Sequence, residues 1–143
     1  MTATAGDGGA GTGAGYSGTP LARKLGIKPE QTIGILGAPD GFAVPDLPPG
    51  VEVRQQARGP LDLIVSFHTR RAHLAERLPT LMAAIPPDGS LWVAWPKRSS
   101  GVATDVTEDA VREVALPTGL VDNKVCAIDT TWSGLRLVLR KEL

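Results

Sequence analysis

The residues of this chain that are of a kind to do chemistry collect at the ends of three apolar runs. Gly37, Asp40 and Gly41 follow Thr32-Ile33-Gly34-Ile35-Leu36, and His68 and Arg70 follow Leu61-Asp62-Leu63-Ile64-Val65-Ser66-Phe67. Trp95, Lys97 and Arg98 end the run that begins at Leu91, and Trp132 stands in a polar turn farther on. A carboxylate that orients an imidazole raises its basicity, so Asp40 with His68 reads as an acid/base pair. The alternative makes Asp40 a turn cap after Pro39 and His68 a surface residue. Arg70, Arg71, Lys97 and Arg98 read either as a site for phosphate or carboxylate or as a solvated rim. Arg70 and Arg71 fall where a helix begins, and the helix dipole favours negative charge at that end, so a bound anion would remove the mismatch. Trp92 and Trp95 lie an odd number of residues apart and face opposite sides of their strand. Trp95, beside Pro96, is a ligand platform or a core residue; Trp132 is a cap over the sheet end or an exposed contact. His73 falls on the solvent side of its helix, and Cys126 reads as a buried thiol acting as a small apolar side chain. The sequence shows no metal cluster, nucleophile elbow or paired-carboxylate spacing.

The elements that position these residues centre on 61–97. A short apolar run suits a strand buried on both faces. Leu74, Leu78, Leu81, Met82 and Ile85 recur at helical spacing, and Pro86-Pro87-Asp88-Gly89 turns the chain into a second apolar strand. Strand, crossover helix and strand of this length form a right-handed parallel unit. Pro79 lies inside the helical pattern and predicts a kink or split near Leu78. Upstream, Thr19 as N-cap with Pro20 at the first helical position opens a short helix at 21–25. Residues 38–50 hold four prolines in thirteen residues, which rules out a helix there. Val51 to Arg54 reads as an edge strand. Downstream, Asp105 with Glu108 three residues on starts a helix. Residues 120–128 and 135–140 are strands joined by a short turn, hence antiparallel.

Residues 1–18 hold seven glycines and no aliphatic side chain larger than alanine after Met1, so they read as a disordered tail ahead of one domain, 19–143. With 42% hydrophobic residues, the 143-residue chain has enough apolar surface for one core. A formal net charge of +0 favours neither nucleic acid nor an anionic membrane. The N-terminus lacks a secretory pattern, no apolar stretch is long enough to span a bilayer, and one cysteine rules out an internal disulfide. The cytoplasm is the expected compartment.

The resulting pattern resembles the Rossmann-like core of class I methyltransferases. Leu61-Asp62-Leu63-Ile64-Val65 is similar to that superfamily's fourth-strand motif, and Ile85-Pro86-Pro87-Asp88-Gly89-Ser90-Leu91-Trp92-Val93 to its helix end, turn and fifth strand. The resemblance implies an α/β fold with a mostly parallel sheet and an antiparallel C-terminal hairpin strand. Tyr16-Ser17-Gly18-Thr19-Pro20-Leu21, Leu36-Gly37-Ala38-Pro39-Asp40-Gly41, Trp95-Pro96-Lys97 and Trp132-Ser133-Gly134 are in turn similar to an actinobacterial domain-of-unknown-function family, which implies no activity. A working methyltransferase would carry G-x-G-x-G after the first strand and a carboxylate after the second. This chain has Gly37-Ala38-Pro39-Asp40-Gly41 and Arg54-Gln55-Gln56 there.

The expected function is therefore a cytoplasmic, non-catalytic methyltransferase-like domain that binds or regulates a partner. The alternative is an enzyme or sensor for a small anionic ligand at the C-terminal strand ends, with S-adenosylmethionine-dependent transfer disfavoured and no cofactor named. The site residues would be Gly37, Asp40, Gly41, His68, Arg70, Trp95, Lys97, Arg98 and Trp132. Two long helices should cover one face of the sheet and leave the other to the short helix and 38–50, so a homodimer or partner protein is expected over that face.

Overall fold

A computed structural model describes residues 19–141; the glycine-rich segment 1–18, expected to be a disordered tail, lies outside them. The elements in chain order are α1 (Leu21–Leu25), β1 (Thr32–Leu36), β2 (Glu52–Arg54), β3 (Leu63–Phe67), α2 (Arg71–Ala84), β4 (Ser90–Pro96), α3 (Glu108–Ala115), β5 (Leu120–Ala127) and β6 (Trp132–Leu139). The six strands form one sheet in the order β2-β1-β3-β4-β6-β5. The first four are parallel, and β6 inserts antiparallel between β4 and β5. The expected class, a mostly parallel α/β sheet with an antiparallel C-terminal hairpin, is the one observed.

Every residue of β3 and β4 is buried, as their unbroken apolar runs require of central strands. Alternation sends their side chains to two cores. Ile64, Leu91, Val93 and Trp95 pack with Leu74, Leu78 and Leu81 of α2 and Val111 and Ala115 of α3. Leu63, Val65, Phe67 and Trp92 pack with Ala22 and Leu25 of α1, Ile33 and Ile128. Ala38, Phe42, Val44 and Leu47, all from 38–50, close over that second core. The face over which a partner is expected carries α1 and 38–50 of the chain itself, as the order of elements implied. Trp92 Nε1 donates to the Leu25 carbonyl at 2.9 Å and ties α1 to the central strand.

Three local expectations are corrected. Pro20, extended at ψ 141°, stands outside α1 at the capping position instead of opening the helix behind Thr19. The 14 residues of α2 run unbroken through Pro79. Proline there removes the amide that would bond the Ala75 carbonyl, and both residues lie on the exposed side where water can replace it. Thr107, not Asp105, caps α3, its side chain accepting from the Ala110 amide at 3.0 Å. Asp105 serves α2 instead, its Oδ1 accepting from the Arg71 amide at 2.6 Å.

Candidate functional site

From β1 the chain passes to β2 on one side of the sheet and returns to β3 on the other, so strand order reverses between β1 and β3. The carboxyl ends of strands flanking such a point form a crevice suited to ligands. A cavity of about 340 Å³ lies there, lined by Leu36 and Gly37 at the exit of β1, Gln55, Gln56 and Ala57 after β2, Ser66 and Phe67 on β3, and His73 and Arg77 on α2. Gly37 turns the chain at φ +70°, and a Cβ there would meet the Phe67 carbonyl at 3.2 Å. Glycine therefore allows β1 and β3 to stay close at the crevice floor.

Ser66 and His68 lie two residues apart and share the α2 side of the sheet. Ser66 Oγ and His68 Nε2 are 2.7 Å apart, and His68 Nδ1 is 3.1 Å from His73 Nδ1. The result is a hydrogen-bonded chain running from a buried serine through a buried imidazole to an exposed one. Ser66 and His68 are 3% and 2% exposed. Burial, then the neighbouring His73 and Arg77, lower the pKa of His68 from 6.5 to about 4. The order serine, base, orienting group has the outline of an activated nucleophile. The chemistry does not follow: a proton taken from Ser66 would create an imidazolium roughly 3 kcal/mol harder to form than on a free histidine. The chain is built to hold neutral His68 in place. Arg77, four residues after His73 and on the same side of α2, forms no ion pair among the described residues.

The expected site residues separate into groups. Gly37 lines the crevice, and His68 lies behind its wall through Ser66 and His73. Asp40 and Gly41 occupy an exposed turn closed by the Phe42 amide on the Pro39 carbonyl. With both ring nitrogens of His68 engaged by Ser66 and His73, the Asp40–His68 pairing is not formed, and His68 is buried, not at the surface. Arg70 is exposed just before α2. Arg71 bonds Glu113 at 2.8 Å, and the carboxylate of Asp105 occupies the α2 N-terminus. The mismatch that argued for a foreign anion at that end is resolved within the chain.

Trp95, 7% exposed, belongs to the core beneath α2 and α3 and is no platform for a ligand. Trp132 caps the opposite face, edge-on to Phe67 with ring centres 5.0 Å apart. Lys97 is half-buried, its amide bonded to the Thr131 carbonyl, and Arg98 opens an exposed turn. None of these four residues lines the crevice. Cys126 is half-buried against the second core, where burial pushes its thiol pKa up.

Sequence reading missed Ser66, His73, Arg77, Gln55 and Gln56. Two signals were available: the only hydroxyl inside the third apolar strand stands one alternation before His68, and His73 and Arg77 share helical spacing beside Leu74 and Leu78.

No family model matches the sequence, and no curated protein is similar to it. Solved structures are. A SAM dependent methyltransferase from Aquifex aeolicus superposes with a TM-score of 0.60 at 15% identity, over 82% of this chain and 86% of that one. A ribosomal protein L11 methylase from Lactobacillus delbrueckii subsp. bulgaricus gives 0.53 at 12% identity, over 85% and 76%. A complex of DhpI with SAH gives 0.55 at 12% identity, over 86% and 83%. At this identity the likeness shows the fold: a Rossmann-like, methyltransferase-type core.

The adenosyl cofactor of that fold can be tested against the donors present. A helix opening after β1 would supply amide groups and a positive dipole end, and a carboxylate after β2 would bond the ribose hydroxyls. Here 38–50 contains no helix and packs over the second core, and β2 ends in Arg54, held by Glu52 at 2.8 Å and by the Arg58 carbonyl. The residues present do not fit the group.

Proposed function

We propose that this chain is a methyltransferase-fold binding domain that does not transfer methyl groups and holds a small anionic ligand in the crevice between β1, β3 and α2. One observation carries the reading. Arg77, with no ion-pair partner among the described residues, lines a crevice whose other polar lining is amide, hydroxyl and imidazole, with no carboxylate. A guanidinium unmatched by a carboxylate favours an oxyanion, which its planar fork can bind with two parallel hydrogen bonds. The volume, near the lower end for small-molecule sites, suits a ligand the size of a sugar phosphate. The alternative of a purely protein-binding surface has no comparable feature in its favour.

Thermal denaturation in the presence of S-adenosylmethionine, S-adenosylhomocysteine, inorganic phosphate, sulfate and phosphorylated sugars tests this. A ligand that binds only the folded state raises the melting temperature with concentration. The expected result is stabilisation by phosphorylated compounds, lost in Arg77→Ala, with no response to the adenosyl compounds. Stabilisation by S-adenosylmethionine would overturn the reading, as would a response to phosphate unchanged in Arg77→Ala.

A further inference from the structure

We propose that binding of an oxyanion in this crevice is coupled to uptake of one proton by the His68–His73 pair, which makes the domain an acid-favoured binder of phosphate- or sulfate-bearing small molecules. The inference rests on the crevice being an anion site and adds how that site is regulated.

It follows from how the two imidazoles meet. Their Nδ1 atoms face each other at 3.1 Å, and a hydrogen bond between two nitrogens of one kind needs a proton on one and a lone pair on the other. His68 Nε2 is committed to Ser66 Oγ at 2.7 Å. With both rings neutral, the chain can run in either direction, from Ser66 outward or from His73 inward. Adding one proton leaves a single arrangement. His68 Nε2–H donates to Ser66, one proton lies between the two Nδ1 atoms, and His73 Nε2–H is free to donate.

Burial and nearby positive charge oppose an imidazolium at His68. The added charge therefore resides on His73, which is exposed and lines the crevice. The polar groups lining the crevice with His73 are Arg77 from α2, the Ser66 hydroxyl from β3, and the amides of Gln55 and Gln56 from the segment after β2, and Arg70 and Glu76 stand one turn from His73 on either side of it. Arg77 is the one permanent charge that lines the crevice, and it repels the added proton. No carboxylate among the described residues lines the crevice, so a bound anion is what supplies the balancing charge. The anion then meets Arg77 and the His73 imidazolium together, one helical turn apart.

Sulfate is the probe of choice because it takes up no proton itself near neutral pH. Calorimetric titration in buffers of differing ionisation enthalpy counts protons bound per sulfate. The expected result is net proton uptake on sulfate binding, with affinity rising by up to about tenfold per unit fall in pH, as one-proton linkage allows. In His73→Gln both the uptake and the pH dependence vanish, and sulfate binding falls to the weaker level that Arg77 alone supports. Sulfate binding with no proton uptake, or with uptake unchanged in His73→Gln, overturns the coupling and leaves the anion site standing. No sulfate binding at any pH overturns both.

Discussion

At the scale of single residues, His68 decides more than its neighbours. Its pKa falls from 6.5 to about 4 on folding, chiefly because burial disfavours the charged ring. The unfolded chain therefore binds a proton that the folded chain refuses between those two values, and stability falls as pH drops through that window. The loss is at most about 3 kcal/mol for the full shift, all of it below neutral pH. Urea denaturation at pH 7.5 and pH 5 should show it, and His68→Gln should flatten the difference; an equal acid loss in the variant would assign it to other groups. The nearby Arg77 adds to this lowering of the His68 pKa and is itself a fixed charge with no ion-pair partner among the described residues. Its replacement by alanine should leave stability within about 0.5 kcal/mol, since a solvated arginine without an ion pair contributes little to folding.

At the scale of elements, α2 is held by contacts that propensity would not supply. It has no acidic residue in its first turn, and its preceding residue, Arg70, makes no side-chain cap. The substitute comes from 34 residues away: the Asp105 carboxylate accepts from the Arg71 amide, while Thr104 Oγ1 and the Asp105 amide both donate to the Thr69 carbonyl. Asp105→Ala should cost about 1 kcal/mol, the usual worth of a lost N-terminal cap, read as a lower denaturation midpoint. Pro79→Ala should act the other way. It restores a backbone donor inside an exposed stretch of helix, offset in part by the greater freedom of the unfolded chain, for a net gain of about 1 kcal/mol. Because His73 and Arg77 stand on this helix, Asp105 also fixes where they meet the crevice, and Asp105→Ala should weaken anion binding along with stability.

At the scale of the whole molecule, the chain closes a two-faced sheet with α2 and α3 on one side and the short α1 with proline-rich coil on the other. The bond from Trp92 to the Leu25 carbonyl and the packing of Phe42 against Phe67, with ring centres 4.9 Å apart, bring α1 and 38–50 onto that second face. Deleting the chain through Gly26 should expose Val65, Ile33 and Trp92, giving strong binding of a hydrophobic dye and loss of near-ultraviolet dichroism; a truncated chain that kept native dichroism would show that 38–50 suffices. Topology also explains the crevice. The β1–β2 and β3–β4 connections run in opposite directions along the sheet, so right-handed crossovers place 38–50 and α2 on opposite faces, and the crevice opens on the α2 side where strand order reverses.

The order of elements, the parallel central strands and the inserted last strand were legible in the sequence because each depends on local pattern: apolar runs of strand length, a helical stripe, a short hairpin turn. Gly37 and the opposite facing of Trp92 and Trp95 were legible for the same reason. The site was not, because its parts come from segments that only packing brings together. His68 reads as a surface residue until the strand is seen buried under α2, where Ser66 and His73 take both its nitrogens. Asp105 reads as the cap of the helix that follows it, and tertiary structure gives it to α2 because the loop after β4 carries it back beside Thr69. Pattern along the chain determined which residues are strand and which are helix; distances across it, which no spacing encodes, decided which polar groups meet.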